Sequence, residues 1–213
     1  KEFYPSPEEF VISKTCFSDP LLEDKFTKTR GLVHKYQNRV LILLTLTCAS
    51  YCRFCTRRRI VSDLKKGVLT KKDIDKMAAY LLKHPAVNEV IFSGGDPLTA
   101  PLLLEYAIDK ISKLKQIKII RLHTRVPVSH PKLISPKILQ IFQMIKRQPF
   151  YFSIHFEHPD ELTPDTIRTI KKIRKTGAIL LSQSVFLKGI NDSYPVLLKL
   201  FTRLTELGVR PYY

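Results

Sequence analysis

Cys48, Cys52 and Cys55 stand in the run Cys48-Ala-Ser-Tyr-Cys52-Arg-Phe-Cys55, a C-x3-C-x2-C spacing. Three thiolates this close suit a loop wrapped around an iron–sulfur cubane, in which three irons take a cysteine each and the fourth has no protein ligand. An iron with an open position can chelate a small molecule, as catalytic metal sites do. Structural zinc is the competing chemistry. It needs four ligands in a closed tetrahedron, and its spacings usually come as paired C-x2-C units. Only one C-x2-C is present, so Cys16 or a distant His would have to complete it. Cys16 itself reads as an ordinary buried or loop thiol. Four cysteines in 213 residues are too few for a disulfide scaffold. Their clustering, with no charged-then-apolar leader before Phe3, points to a reducing compartment and a cytoplasmic protein.

Other residues whose types suit chemistry recur further along. Ser93-Gly94-Gly95-Asp96-Pro97 ends an apolar run, and glycines at a strand end let backbone polar groups approach a ligand closely. A plain strand-to-helix turn uses the same residues. His123 to Arg125, His155 to His158 and Gln183 also follow apolar runs. His155 and His158 are three apart in a loop, which favours hydrogen-bonded structural histidines over a metal pair. Lys35, Tyr36 and Arg39 read, taken alone, as a surface turn before a strand.

The elements that must position these residues follow an alternating pattern. Apolar runs at 39–46, 87–92, 117–122, 150–155, 178–185 and 209–213 read as strands, the first suited to burial on both faces. Between them, apolar residues recur at helical spacing, as at Ile74, Met77, Ala78, Leu81 and Leu82. Thr70 with Asp73, Ser135 before Pro136 and Thr163 before Pro164 supply helix starts, while Gly177 and Gly208 sit where C-caps are expected. Strand–helix alternation implies an α/β fold with a parallel sheet and right-handed crossovers. Polar candidates at the C-terminal ends of successive strands favour a partial (β/α)6 TIM-like barrel, cut in its sixth strand, over an open doubly wound sheet. Residues 1–38 read as a leading extension and 39–213 as the barrel. The chain begins with Lys1 and reaches Tyr213 in an apolar stretch, which suggests a piece of a longer protein.

Composition narrows the partners. Lys and Arg total 36 against 19 Asp and Glu, a net charge of +17, which favours anionic partners. The basic doublets are scattered over different segments, so charge alone does not make a nucleic-acid binder. The longest apolar run, 40–49, is about half of what a membrane helix needs. No membrane partner is expected.

Taken together, the motifs are specific. His34-Lys-Tyr-Gln-Asn-Arg39, the cysteine run continuing into Thr56-Arg57-Arg58-Arg59, Ser93-Gly-Gly-Asp-Pro97 and Thr124-Arg125-Val-Pro127 all resemble the lysine 2,3-aminomutase family of radical S-adenosylmethionine enzymes. So do His155-Phe-Glu-His-Pro159, the stretch from Gln183 to Asp192, and Arg210-Pro-Tyr-Tyr213. The resemblance runs from about residue 20 to the last residue. It implies a [4Fe–4S] cluster on Cys48, Cys52 and Cys55, with S-adenosylmethionine on the open iron near Ser93, Gly94, Gly95, Asp96, Arg125 and His155. It implies pyridoxal phosphate contacts at Lys35, Tyr36, Arg39, Gln183 and Tyr213, and Arg57 on the substrate carboxylate, where a bidentate guanidinium explains Arg in place of Lys. The lysine that binds pyridoxal phosphate is expected beyond Tyr213.

The implied activity moves the amino group of an amino acid from C2 to C3, with L-lysine to β-lysine the leading expectation and flavodoxin or ferredoxin as electron donor. A homo-oligomer is compatible with it. Glutamate 2,3-aminomutation and β-lysine supply for elongation factor P modification share these motifs. Two other classes remain at this stage: a radical S-adenosylmethionine enzyme that modifies RNA, and a zinc-stabilised nucleic-acid-binding module.

Overall fold

Val40, Ile42 and Leu44 alternate with Arg39, Leu41 and Leu43 along one strand, and that alternation decides which side chains reach the helices. The first set is essentially inaccessible to solvent; the second is only half-buried or better. In the computed structural model, which describes residues 17–61, 63 and 69–212, one sheet of eight strands runs in chain order. Cys16 and Tyr213 lie outside the described residues.

A single turn, α1 (Glu23–Phe26), leads into β1 (Thr27–Thr29), β2 (Leu32–Tyr36) and β3 (Arg39–Thr45). These three strands pair antiparallel. Residues 27–36, read from the sequence as part of an extension, therefore form a hairpin that continues the sheet beside β3. From β3 the chain alternates: α2 (Lys71–Leu82), β4 (Glu89–Gly94), α3 (Pro101–Ser112) and β5 (Ile119–Thr124). A short α4 (Val126–Ser129) precedes α5 (Pro136–Gln143), β6 (Phe150–His155), α6 (Pro164–Arg174), β7 (Ile179–Gln183), α7 (Tyr194–Glu206) and β8 (Arg210–Pro211). Strands β3 to β8 all pair parallel, giving the six parallel strands of a partial TIM-like barrel.

Local chemistry sets the helix starts. Thr70 and Asp73 form a reciprocal capping box on α2, and Ser135 and Thr163 cap α5 and α6 ahead of their prolines. Gly177 and Gly208 end α6 and α7 at φ 85° and 74°. The outer face of the sheet packs on the helices through Val90, Phe92, Ile120, Leu122, Phe152 and Ile154, with Phe142, Phe150 and Phe152 in mutual ring contact at 5.2–6.0 Å.

The inner face is polar in places. Paired residues stack in rows: Leu41, Ile91, Arg121, Tyr151 and Ile179 in one, His123, Ser153, Leu181 and Arg210 in the next, His155 and Gln183 above. Arg39 and Arg121 share the buried carboxylate of Glu89, at 3.7 and 2.9 Å. β3 is thus covered on its outer face and only half-covered on its inner one, where burial on both faces was expected. Strands β4 and β5 extend two residues past their apolar runs, because Ser93 and Gly94 still pair with Leu43 and Thr45, and His123 and Thr124 with Ser153 and Ile154.

Candidate cluster and cofactor site

The loop carrying the cysteines leaves the C-terminal end of β3 and is clamped at its root. Gly95 N–H donates to Thr45 O at 2.7 Å and Asp96 N–H to Thr47 O at 2.8 Å, while the Thr99 hydroxyl reaches Thr47 O at 3.1 Å. The two glycines make this approach possible. A Cβ on Gly94 would lie 2.3 Å from Thr45 O, and one on Gly95 would lie 2.2 Å from Thr47 O; Gly94 also sits at φ 127°. The close backbone approach anticipated for these glycines is thus made to the strand leading into Cys48.

Asp96 is buried and joins two strand ends. Its carboxylate accepts from the Thr124 hydroxyl at 2.7 and 2.9 Å, from Arg125 N–H at 2.9 Å and from Leu98 N–H at 3.1 Å. Burial pushes the carboxyl above its ordinary range, and these donors pull against that rise.

Cys48, Cys52 and Cys55 are free, half-buried thiols along this loop. Cys48 Sγ donates to Ser50 O at 2.8 Å, and Cys55 N–H donates to Cys52 O at 3.0 Å. Arg125, 4% exposed, aims its guanidinium at the loop: Nη1 donates to Cys52 Sγ at 3.0 Å and Nη2 to Glu161 Oε1 at 2.5 Å, over the Phe54 ring at 5.3 Å. Burial pushes the Cys48 thiol up to about 12, reinforced by the charge of Asp96 and the neighbouring thiols. Cys52 is raised too, again by burial, with Arg125 opposing. Thiolates in this setting need a cation, and iron supplies one. Among the described residues, no three His, Cys, Asp or Glu side chains converge on a single-ion site. In a cubane each thiolate takes its own iron, so donors spread along one loop fit a cluster better than a closed zinc tetrahedron.

A cavity of about 220 Å³ opens beside this loop, against the hairpin. Lys35, Tyr36, Arg39 and Arg57 line it together with Leu21, Glu23 and Val33. Lys35 Nζ donates to Leu21 O at 3.1 Å, and the Arg39 guanidinium lies 5.7 Å from the exposed Tyr36 ring. Three cations around one cavity fit an anionic ligand such as a phosphate ester with a carboxylate.

The radical SAM superfamily pattern matches residues 42–201, from β3 through most of α7. The chain belongs to the radical SAM superfamily. It is 38% identical to the L-lysine 2,3-aminomutase of Fusobacterium nucleatum, 36% to that of Clostridium subterminale and 34% to that of Escherichia coli, each over 214 aligned positions. Each alignment covers all of this chain but only 50%, 51% and 61% of the relative. The chain thus spans about half the length of the curated relatives it matches. These relatives bear out the resemblance to the lysine 2,3-aminomutase family read from the motifs.

The remaining candidate residues lie on the inner face and in the turns beside it. His155, at the end of β6, places Nδ1 3.5 Å from Glu157 Oε1, and Gln183 accepts from the Ser153 hydroxyl at 3.4 Å. His158 is structural: its ring accepts from Asp160 N–H and caps the turn Pro159–Glu161. His123 is held down to about 3 by burial and by the nearby His155, Arg121 and Arg57, which keeps it neutral. Sequence reasoning missed Glu23 and Glu161, and it gave no role to Glu157 within the candidate stretch His155 to His158. Glu157 is fully buried, accepts from Val185 N–H at 2.6 Å, and sits close enough to Cys52 to raise that thiol. Glu161 holds Arg125 and also accepts from Glu157 and His158 N–H groups. Glu161 also closes a local capping box with His158, a spacing the sequence did carry, but the partners Arg57, Val185 and Arg125 lie in other segments and left no such sign.

Proposed function

We propose that the protein is a radical SAM, pyridoxal phosphate-dependent aminomutase that moves an amino group from C2 to C3, with L-lysine as substrate and β-lysine as product. The observation that carries this reading is the loop of three free thiols at the end of the first parallel strand, flanked by a cation-lined cavity, in a chain whose relatives are named L-lysine 2,3-aminomutases. The cluster with S-adenosylmethionine supplies radical hydrogen abstraction, and pyridoxal phosphate supplies a carrier for the migrating nitrogen.

The chain's own residues do the positioning. Cys48, Cys52 and Cys55 hold the cluster. Arg125 offsets thiolate charge at Cys52, and Glu161 keeps that guanidinium aimed. The rim around Ser93, Gly94, Gly95 and Asp96, with His155, receives S-adenosylmethionine. Lys35 and Arg39 hold a phosphate next to Tyr36, Gln183 at the end of β7 and Tyr213 are read as further contacts to the same cofactor, and Arg57 takes the substrate carboxylate. Arg57 follows Cys55 by two residues and lines the cavity, which keeps the two reacting halves adjacent. Residues 39–213 are read as the barrel, in a cytoplasmic protein that draws electrons from a donor such as flavodoxin or ferredoxin.

Anaerobic reconstitution of the full-length protein tests this. The expected result is a brown protein with about four irons per chain that forms 5′-deoxyadenosine on reduction and converts L-lysine to β-lysine. A colourless, zinc-loaded protein inert to reductant overturns it, and Cys52→Ala should abolish iron retention.

A further inference from the structure

We propose that Glu23 is a positioning residue for substrate, holding the Nε–Nη2 edge of the Arg57 guanidinium so that its end-on Nη1–Nη2 edge receives the substrate's α-carboxylate. This rests on the reading of Arg57 as the carboxylate anchor and adds to it the group that aims it. Arg57 Nε donates to both Glu23 oxygens, at 2.8 and 3.1 Å, and Nη2 donates to Oε1 at 2.6 Å. That is a side-on grip, and it uses the Nε–Nη2 edge. Nη1 points instead to the Ser93 hydroxyl at 3.3 Å, toward the strand-end rim. A guanidinium has five N–H donors, so the Nη1–Nη2 edge can still take a second carboxylate end-on.

The pair is built in and not a chance surface contact. The Glu23 side chain is 7% exposed and that of Arg57 16%. The acidic turn is stitched to the basic run a second time, through Arg59 with Asp19 at 3.2 Å and Asp24 at 2.9 Å. Asp19 also accepts from Asp24 N–H at 2.9 Å, closing the turn on itself. Leu22, just before Glu23, stands at φ 55° and ψ 35°, a left-handed conformation a leucine adopts only when its surroundings impose it. Both Glu23 and Arg57 line the cavity that holds Lys35 and Arg39. Without Glu23 the arginine could rotate toward any anion in that cavity, the cofactor phosphate included.

The test uses the full-length reconstituted enzyme with L-lysine and its carboxamide, L-lysinamide. Glu23→Gln keeps the shape and removes the charge. The expected result is a KM for L-lysine raised by up to about 100-fold with a smaller change in kcat, because a misplaced anchor weakens binding and orientation. The preference for L-lysine over L-lysinamide should shrink in step, and Glu23→Asp should recover part of both. A lowered KM would make Glu23 a competitor of the substrate, and an unchanged KM would make it a structural pair only; either overturns the proposal. Arg57→Gln separates the two readings. If it abolishes the lysine–lysinamide preference while Glu23→Gln does not, Arg57 stands and the role of Glu23 fails. If neither variant changes the preference, the assignment of Arg57 fails.

Discussion

The rim at the C-terminal strand ends and the cavity beside the hairpin are both polar, yet they are built in opposite ways. At the rim, Asp96, Arg125 and Glu161 are buried or nearly so, and backbone hydrogen bonds of 2.7–2.8 Å lock the root of the cysteine loop to the Gly94-Gly95-Asp96 turn. At the cavity, Lys35, Tyr36 and Arg39 are exposed or half-exposed: Lys35 rests on a backbone carbonyl, and Arg39 on the Asn38 side chain, the Tyr36 ring and, at 3.7 Å, Glu89. The rim holds its geometry without a ligand, whereas in the cavity only Arg57 is fixed, by Glu23, and Lys35 and Arg39 on their weaker partners can respond to one. On the proposed reading, a cluster must be gripped at all times whereas a substrate carboxylate arrives and departs, which suits rigidity in the first region and more adaptable charge in the second.

The largest break in this contrast comes from a single methyl group at the rim. Gly95→Ala places a Cβ 2.2 Å from Thr47 O, a contact with backbone on both sides that no rotamer change relieves. We expect a loss of about 3 kcal/mol in denaturant unfolding, together with poor iron retention, since the displaced segment leads directly into Cys48. A variant as stable as the parent would show that the rim is more compliant than its geometry implies.

A smaller effect should follow from Glu161→Gln. The amide keeps an acceptor for the Glu157 and His158 N–H groups but loses the charge that aims Arg125. The expected cost is about 1–2 kcal/mol, with iron lost faster to a chelator than from the parent protein. Equal chelation rates would detach Arg125 from any role at Cys52.

How much of this was legible beforehand differs between the two regions. The cysteine trio announces itself because its three donors sit on one loop. The parallel strands are legible because apolar runs and capping residues alternate, with Thr70–Asp73 and Ser135–Pro136 forming the caps their spacing implies. Strand ends slipped at β4, where Ser93 and Gly94 pair through backbone alone and backbone pairing leaves no hydropathy trace. The need for glycine at 94 and 95 could be read, but not that Thr45 and Thr47 are the close neighbours. Arg57 and Glu23 lie 34 residues apart, and Arg125 and Glu161 lie 36 apart. Pairs at such separations come from how the sheet folds back on itself, which no local pattern encodes.

The mildest perturbation uses protons to separate the regions, because two aspartates respond to acid with opposite sign. Asp73 caps α2 by accepting from Thr70 N–H and its hydroxyl, both at 2.8 Å, and from Arg30 of the hairpin turn at 3.2 Å. The Thr70 backbone bond comes first among the groups that hold it below the ordinary value of 3.8. Its folded state favours the carboxylate, so its contribution is complete above 3.8 and is lost as pH falls through the lower folded value. Asp96 is raised by burial, so its contribution is complete below 3.8 and shrinks as pH rises through the higher folded value. Acid should therefore loosen the hairpin that walls the cavity before it touches the rim. Hydrogen exchange followed downward through pH 3.8 should show residues 27–36 gaining exchange ahead of β4 and β5. Asp73→Asn should cost about 1 kcal/mol at neutral pH and flatten that acid response, while Asp96→Asn should leave it in place. Simultaneous loosening of both regions would mean that hairpin and rim unfold as one cooperative unit, and that the contrast between them is one of geometry without a difference in stability.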